Sequence, residues 1–308
     1  MKLFSNFFFI IFFSFNSLLA NDYVISSFDN HLIHGTLLEA KETQSVLAII
    51  IAGSGPTDRH GNSLSIKGYY LKMLADGLNK NGVSTFRYDK RGVSKSLGNL
   101  KSTAEIRFSD YINDAKSIIN HFKNIKRFTK IVVIGHSEGA LIGMIASKSI
   151  ADNFISIAGP GEDYLTVIKR QLSTRAPYIK AMSDPIINEL KKNKLVDSVP
   201  PLLNNLFAPN LQTFLIDASS HDPVVEISKL KIPVLIIQGT NDVQITVNDA
   251  EILHAAASES RLEIIEGMNH VLRQASENFL LNIQTYGNSD LPIEELVIKL
   301  ISTFIFEL

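Results

Sequence analysis

The chain has 308 residues, a net charge of −1 and no cysteine. The length suits one large α/β domain, or a domain carrying a small insertion. Near-neutral charge gives no support for nucleic-acid binding, and the lack of cysteine excludes disulfides, thiolate metal sites and a cysteine nucleophile.

The N-terminus reads as a separate object. Lys2 precedes Phe7-Phe8-Phe9-Ile10-Ile11-Phe12-Phe13, and Ser17-Leu18-Leu19-Ala20 leads into the polar Asn21-Asp22. A positive start, a short apolar run and a small residue at the cut predict a signal peptide over residues 1–20, cleaved after Ala20, and export to a periplasm or beyond. The apolar run falls short of the roughly 20 residues a membrane span needs. Leu18 is an unusual residue three positions before the cut. An uncleaved anchor is therefore the alternative, and the only route by which a membrane becomes a partner.

Residues 21–308 then alternate strand and helix. Tyr23-Val24-Ile25-Ser26-Ser27-Phe28 and Leu32-Ile33-His34-Gly35-Thr36-Leu37-Leu38 flank Asp29-Asn30, an antiparallel hairpin signal. Val46-Leu47-Ala48-Ile49-Ile50-Ile51-Ala52 is a continuous apolar run, as expected of a strand buried on both faces. Tyr70, Leu71, Leu74 and Leu78 have helical spacing, closed by Asn81-Gly82. A strand at Val83-Ser84-Thr85-Phe86-Arg87-Tyr88 precedes a helix over 109–122, with Ile112, Ala115, Ile118 and Ile119 on one face. Next come the strand Ile131-Val132-Val133-Ile134 and another at Phe154-Ile155-Ser156-Ile157-Ala158.

The alternation breaks over about 162–230, which is rich in Lys, Asn and Pro and holds no convincing buried strand. It resumes with Pro233-Val234-Leu235-Ile236-Ile237-Gln238-Gly239, a short strand Arg261-Leu262-Glu263-Ile264-Ile265 and a helix over 293–304. The pattern predicts an α/β fold: a mostly parallel sheet, helices on both faces, and an inserted helical cap at about 162–230.

The chemistry centres on Gly135-His136-Ser137-Glu138-Gly139, which follows a buried-strand run and opens a helix-like stretch. A sharp strand-to-helix turn lifts a serine hydroxyl clear of the sheet, and the flanking glycines relieve crowding at the turn. Serine needs a base, and the base needs an orienting acid. His270 lies just beyond one later strand end and Asp242 just beyond another, so Ser137, Asp242 and His270 form the candidate catalytic set. Asp217, Asp222 and Asp249 are weaker acids, because the first two fall in the cap and the third inside a helix. An oxyanion needs two preorganised donors. The expected pair is the backbone N–H of Glu138, at the helix start, and that of Ser54 in Gly53-Ser54-Gly55-Pro56-Thr57-Asp58-Arg59, with Gly55 as runner-up.

These motifs, together with Tyr88-Asp89-Lys90-Arg91-Gly92-Val93-Ser94-Lys95-Ser96 and Gly267-Met268-Asn269-His270-Val271, resemble the α/β-hydrolase superfamily. Within it they are similar to bacterial carboxylesterases related to the serine-aminopeptidase-like hydrolases. The resemblance implies a sheet of about eight strands, hydrolysis of small-molecule acyl esters, and no metal or organic cofactor. Ala52 departs from the His-Gly that often precedes the oxyanion residue; the donor is a backbone amide, so the chemistry does not depend on it.

A peptidase or amidase using the same triad is the alternative activity. It needs an acidic anchor for a substrate amine, with Glu162, Asp163 and Glu189 as candidates. A non-catalytic module on the same fold is disfavoured, because fold alone does not demand all three triad residues. Asp58, Arg59 and Arg91 read first as loop-bracing ion pairs and second as binders of a substrate carboxylate. Leu165, Ile168, Leu172, Leu203, Leu206 and Phe207 read first as the cap's own core and second as the wall of an acyl pocket.

Overall fold

The structure is a computed structural model that describes residues 21–41, 46–98, 100 and 102–307. The expected signal peptide, residues 1–20, lies outside the described residues. The elements run β1 (Asn21–Ser26), β2 (Leu32–Leu38), β3 (Val46–Ile51), α1 (Tyr70–Lys80), β4 (Ser84–Tyr88), α2 (Phe108–Asn124), β5 (Lys130–His136), α3 (Glu138–Ser147) and β6 (Asn153–Ile157). A helical stretch follows: α4 (Tyr164–Arg175), α5 (Lys180–Leu190), α6 (Asn204–Phe207), α7 (Pro209–Ser219) and α8 (Pro223–Ser228). The chain finishes with β7 (Val234–Gly239), α9 (Val247–Ala256), β8 (Arg261–Ile265), α10 (Phe279–Gln284) and α11 (Glu295–Glu307).

The eight strands form one sheet in the order β1-β2-β4-β3-β5-β6-β7-β8. β2 pairs antiparallel with β1 and β4, and every later pairing is parallel. Asn30 sits at φ 66° in the hairpin turn, a backbone region that asparagine tolerates better than most residues.

β3 shows why the central strands are apolar throughout. Leu47, Ile49 and Ile51 face α2, α3 and α9, while Val46, Ala48 and Ile50 face α1 and α11. Successive side chains point to opposite faces, so a strand covered by helices on both sides needs apolar residues at every position. The helical stretch between β6 and β7 has its own apolar cluster, built from Leu165, Ile179, Ile186, Ile187, Leu190, Leu203, Phe207 and Leu215.

That stretch is tied to the sheet domain by polar contacts. Arg170 on α4 donates to both carboxylate oxygens of Asp249 on α9, at 2.8 and 2.7 Å. Gln171 donates to the Gln244 carbonyl at 3.0 Å. These bonds hold α4 against α9 and over the loop that follows β7. Among the described residues, no helix is long and apolar enough to cross a membrane.

Candidate active site

Ser137 stands at the junction of β5 and α3 with φ 54° and ψ −124°. This is a sparsely populated region for a residue with a Cβ, and such strain persists only where the surroundings impose it. The surroundings here are tight. A Cβ on Gly135 would lie 2.2 Å from the Gly139 carbonyl oxygen, and one on Gly139 would lie 2.3 Å from that of Ile51. Both glycines are therefore required for the turn to pack.

His270 and Asp242 come together from the loops after β8 and β7. His270 Nδ1 lies 2.7 Å from Asp242 Oδ2. Asp242 Oδ1 accepts from the backbone amides of Gln244 and Ile245 at 2.7 and 3.0 Å, and Oδ2 also accepts from Gln238 Nε2 at 3.3 Å. Burial pushes this carboxyl up, but His270 and the two backbone amides outweigh it, leaving Asp242 below the usual carboxylate range. An ionised Asp242 accepts the Nδ1 proton of His270 and so leaves Nε2 as the ring's acceptor.

His270 is placed by its neighbours. The ring centroids of His136 and His270 are 4.8 Å apart, which sets His270 beside the residue that precedes Ser137. His136 Nε2 donates to the His270 carbonyl at 2.7 Å, and Tyr70 lies 3.3 Å from His136 Nδ1 through its hydroxyl. Burial, aided by His270 nearby, pushes His136 down to about 3. It is therefore a neutral ring locked in one tautomer by a carbonyl that can only accept. Asn269 stiffens the same loop by accepting from the amides of Val271 and Arg273, each at 3.1 Å.

The loop after β3 passes directly over the serine. A Cβ on Gly53 would meet Ser137 Cβ at 3.1 Å and His136 Nδ1 at 3.2 Å. Ser54 and Gly55 line a cavity of about 520 Å³ together with Ser137 and Glu138. Among the described residues, no backbone acceptor takes the amide of Ser54 or of Glu138. The Gly55 amide likewise has no acceptor there, so free amides border the serine from both sides, that of Glu138 at a helix N-terminus where the backbone dipoles favour negative charge.

The rest of the cavity is largely apolar. Val93, Ile106 and Tyr111 line it from the sheet domain, and Tyr164, Ile168, Leu206, Leu211 and Phe214 from the helical insertion. Its polar wall includes the neutral amides Gln171, Asn205, Asn210 and Gln244 beside Ser54, Arg91, Ser137 and Glu138. The six cap residues divide accordingly. Leu165, Leu203 and Phe207 are core, Leu172 packs against that core, Leu206 lines the cavity, and Ile168 does both.

The charged residues of the neighbouring loops are committed elsewhere. Asp58 holds its own loop through the amides of His60 and Asn62 at 2.8 and 2.9 Å. Arg59 pairs with Asp89 at 2.8 Å, and Arg91 bridges Asp29 and Asp114 at 2.6 and 2.7 Å. Bracing contacts hold all three, and Arg91 also lines the cavity. Asp217 accepts from the Ser109 amide, Asp222 caps α8, and Asp249 is bound by Arg170. None of these acids is the partner of His270.

Sequence reasoning missed several side chains that shape the site, namely Tyr70, Lys90, Tyr111, His136, Tyr164, Phe214 and Gln244. They converge from separate elements, and no spacing links them. For His136 and Lys90 a signal was present: His136 ends an otherwise largely apolar strand run, and Lys90 closely follows the strand that ends at Tyr88.

The family model described as serine aminopeptidase, S33 matches residues 60–275. Esterase EstD of Thermotoga maritima is 29% identical over 233 residues, which cover 73% of this chain and 54% of that protein. The chain thus spans about half the length of that curated relative. Est1E of Butyrivibrio proteoclasticus, solved with ferulic acid, superposes with a TM-score of 0.62 at 18% identity, covering 92% of this chain and 98% of its own. The Pyrococcus furiosus esterase Pf2001 superposes with a TM-score of 0.62 at 17% identity, covering 94% and 91%. The strand order, the strained serine between its glycines and the matched span lead to one conclusion: the chain belongs to the serine aminopeptidase S33 family and carries the α/β-hydrolase fold.

Proposed function

We propose that the protein is a carboxylesterase that cleaves small acyl esters through an acyl-enzyme on Ser137. The observation that carries this reading is the 2.7 Å His270–Asp242 pair, set beside a strained serine that opens into an apolar cavity. The esterase likeness of EstD over the matched segment supports it.

In the proposed mechanism, His270 Nε2 takes the Ser137 proton as Oγ bonds to the ester carbonyl carbon. The carbonyl π pair moves onto oxygen, and the Ser54 and Glu138 amides hold the resulting oxyanion. Asp242 stabilises the imidazolium. The oxyanion collapses, the alcohol leaves with the proton from His270, and an acyl-Ser137 ester remains. Water then gives a proton to His270 and attacks the acyl carbon. Collapse of that second intermediate returns the proton to Ser137 and frees the carboxylic acid.

The family description raises amide cleavage as a second reading. A substrate amine needs an uncommitted acid, and the cavity wall argues against one. Glu138 is the acidic residue on that wall among the described residues, and its two oxygens accept from Lys90 and Tyr164. Glu162 pairs with Arg170, Asp163 with Lys191 and Glu189 with Lys192. A neutral ester with an apolar acyl group suits this cavity better than a cationic aminoacyl group.

A panel of p-nitrophenyl esters run against aminoacyl-nitroanilides tests the choice. Turnover of esters by a chain whose Ser137 labels with a fluorophosphonate is the expected result. Turnover confined to the anilides would replace the reading with the peptidase, and an unlabelled, inactive folded protein would refute both.

A further inference from the structure

We propose that Lys90 is a positioning residue for the oxyanion-binding amides, acting by tethering the Gly53 carbonyl and neutralising Glu138. The proposal rests on the esterase reading, which makes the Ser54 and Glu138 amides the donors.

Lys90 follows β4, and its side chain is 1% exposed. Its ammonium donates to the Gly53 carbonyl at 2.7 Å and to Glu138 Oε1 at 2.5 Å, and it lies 4.8 Å from the centroid of the Tyr111 ring. One buried cation therefore touches both segments of the oxyanion site, the loop after β3 and the start of α3.

The first contact sets an orientation. The 53–54 peptide is trans, so the Ser54 N–H points opposite to the Gly53 carbonyl across one rigid plane. Gly53 packs closely against Ser137, where a Cβ would sit 3.1 Å from the serine Cβ, and a glycine leaves that plane free to rotate. Holding the carbonyl against Lys90 keeps the amide on the opposite edge, at the residue that lines the cavity with Ser137. A cation on the carbonyl also polarises the peptide and strengthens its N–H as a donor.

The second contact sets the local charge. Glu138 offers its amide to the oxyanion yet carries a carboxylate whose side chain is 2% exposed. Left alone, that charge would oppose the negative charge forming on the substrate, and the low dielectric of a buried site would enlarge the effect. Lys90 cancels it. Tyr164 OH completes the arrangement by donating to Glu138 Oε2 at 2.8 Å, which links the helical insertion to the same pair.

A purely structural ion pair between the end of β4 and α3 would affect folding without selecting the transition state. The test separates these roles. Lys90→Met alone strands a buried carboxylate and can unfold the chain, so the main variant is the double Lys90→Met/Glu138→Gln, which removes both charges together. Its thermal melt is compared with wild type, then kcat and KM on p-nitrophenyl butyrate, and Ki for an aryl trifluoromethyl ketone that forms a hemiketal with Ser137.

The expected result is a cooperative melt, a kcat lower by about 10², a KM within about threefold, and a ketone Ki higher by the same factor as the kcat loss. Lys90→Arg keeps the charge but shifts the donor from the Gly53 carbonyl, and should lose about tenfold in kcat with a matching rise in Ki. It supplies the same comparison if the double variant does not fold. A kcat within threefold of wild type, or a kcat loss with unchanged ketone affinity, would overturn the proposal while leaving the esterase reading intact. Wild-type protein that neither hydrolyses the ester nor binds the ketone would overturn both.

Discussion

His136 Nε2 donates to the main-chain carbonyl of His270 at 2.7 Å, so the residue before the candidate nucleophile anchors the backbone of the candidate base. Burial holds His136 neutral by pushing it from its ordinary 6.5 down to about 3, against the small upward pull of this bond. A consequence for stability follows by linkage. Between pH 6.5 and 3 the unfolded chain takes up a proton that the folded chain refuses, so stability falls as pH falls through that window. The slope from this one group is at most about 1.4 kcal/mol per pH unit. Urea unfolding at pH 7, 6 and 5 should show the wild type losing stability faster than His136→Gln, which has no proton to gain at that position. Equal slopes would contradict the assignment.

Asp242→Asn tests the pair formed by Asp242 and His270. An asparagine amide can donate where the carboxylate only accepts, which favours the wrong histidine tautomer and takes away the charge opposite the imidazolium. Ester turnover should drop by about 10³ to 10⁴ with little change in KM. A drop under tenfold would remove Asp242 from the catalytic set.

The strain at Ser137 can be measured directly. Ser137→Ala and Ser137→Gly should both abolish ester turnover and fluorophosphonate labelling. Glycine accepts φ 54° without penalty and alanine does not, so the glycine variant should be the more stable by about 1 kcal/mol after its own entropy cost. Denaturant unfolding of the two inactive proteins decides the sign.

Gly53→Ala places a methyl group 3.1 Å from Ser137 Cβ and 3.2 Å from His136 Nδ1. Either the loop or the serine must yield by a few tenths of an ångström. Catalytic geometry tolerates such shifts poorly, so kcat should fall by about 10- to 100-fold while the melting temperature moves little. A large stability loss with normal specific activity in the folded fraction would show that the close approach matters for folding alone.

Ile168→Trp, on α4, adds bulk to the cavity wall. Its kcat/KM for p-nitrophenyl octanoate should fall at least tenfold further than for the acetate ester. Equal losses on both esters would place the acyl chain elsewhere.

The sequence by itself determined the fold class, because strands covered on both faces must be apolar at every position and helices between them must show one apolar stripe. Val46–Ile51 and the Ile112, Ala115, Ile118 and Ile119 face were legible for that reason. Element ends shifted by a few residues, as with the final helix, expected over 293–304 and found at Glu295–Glu307. α10 was not anticipated: its six residues include the exposed Phe279, Leu280 and Leu281, so no apolar stripe marks them. That Ser137, Asp242 and His270 lie near one another was legible because each follows closely on a strand end, where topology gathers residues to one edge of the sheet.

Only the tertiary structure decided what surrounds them. Lys90 comes from β4's end, Glu138 from α3, Tyr164 from α4 and Gly53 from β3's loop, and no periodicity in the chain relates these positions. Their contacts depend on through-space distances set by how helices pack over a twisted sheet. The same packing set Arg59 and Arg91 in bracing ion pairs, and divided the cap's apolar residues between core and cavity. Local patterning encodes which face of an element is buried, whereas the company a buried polar group keeps is a property of the assembled chain.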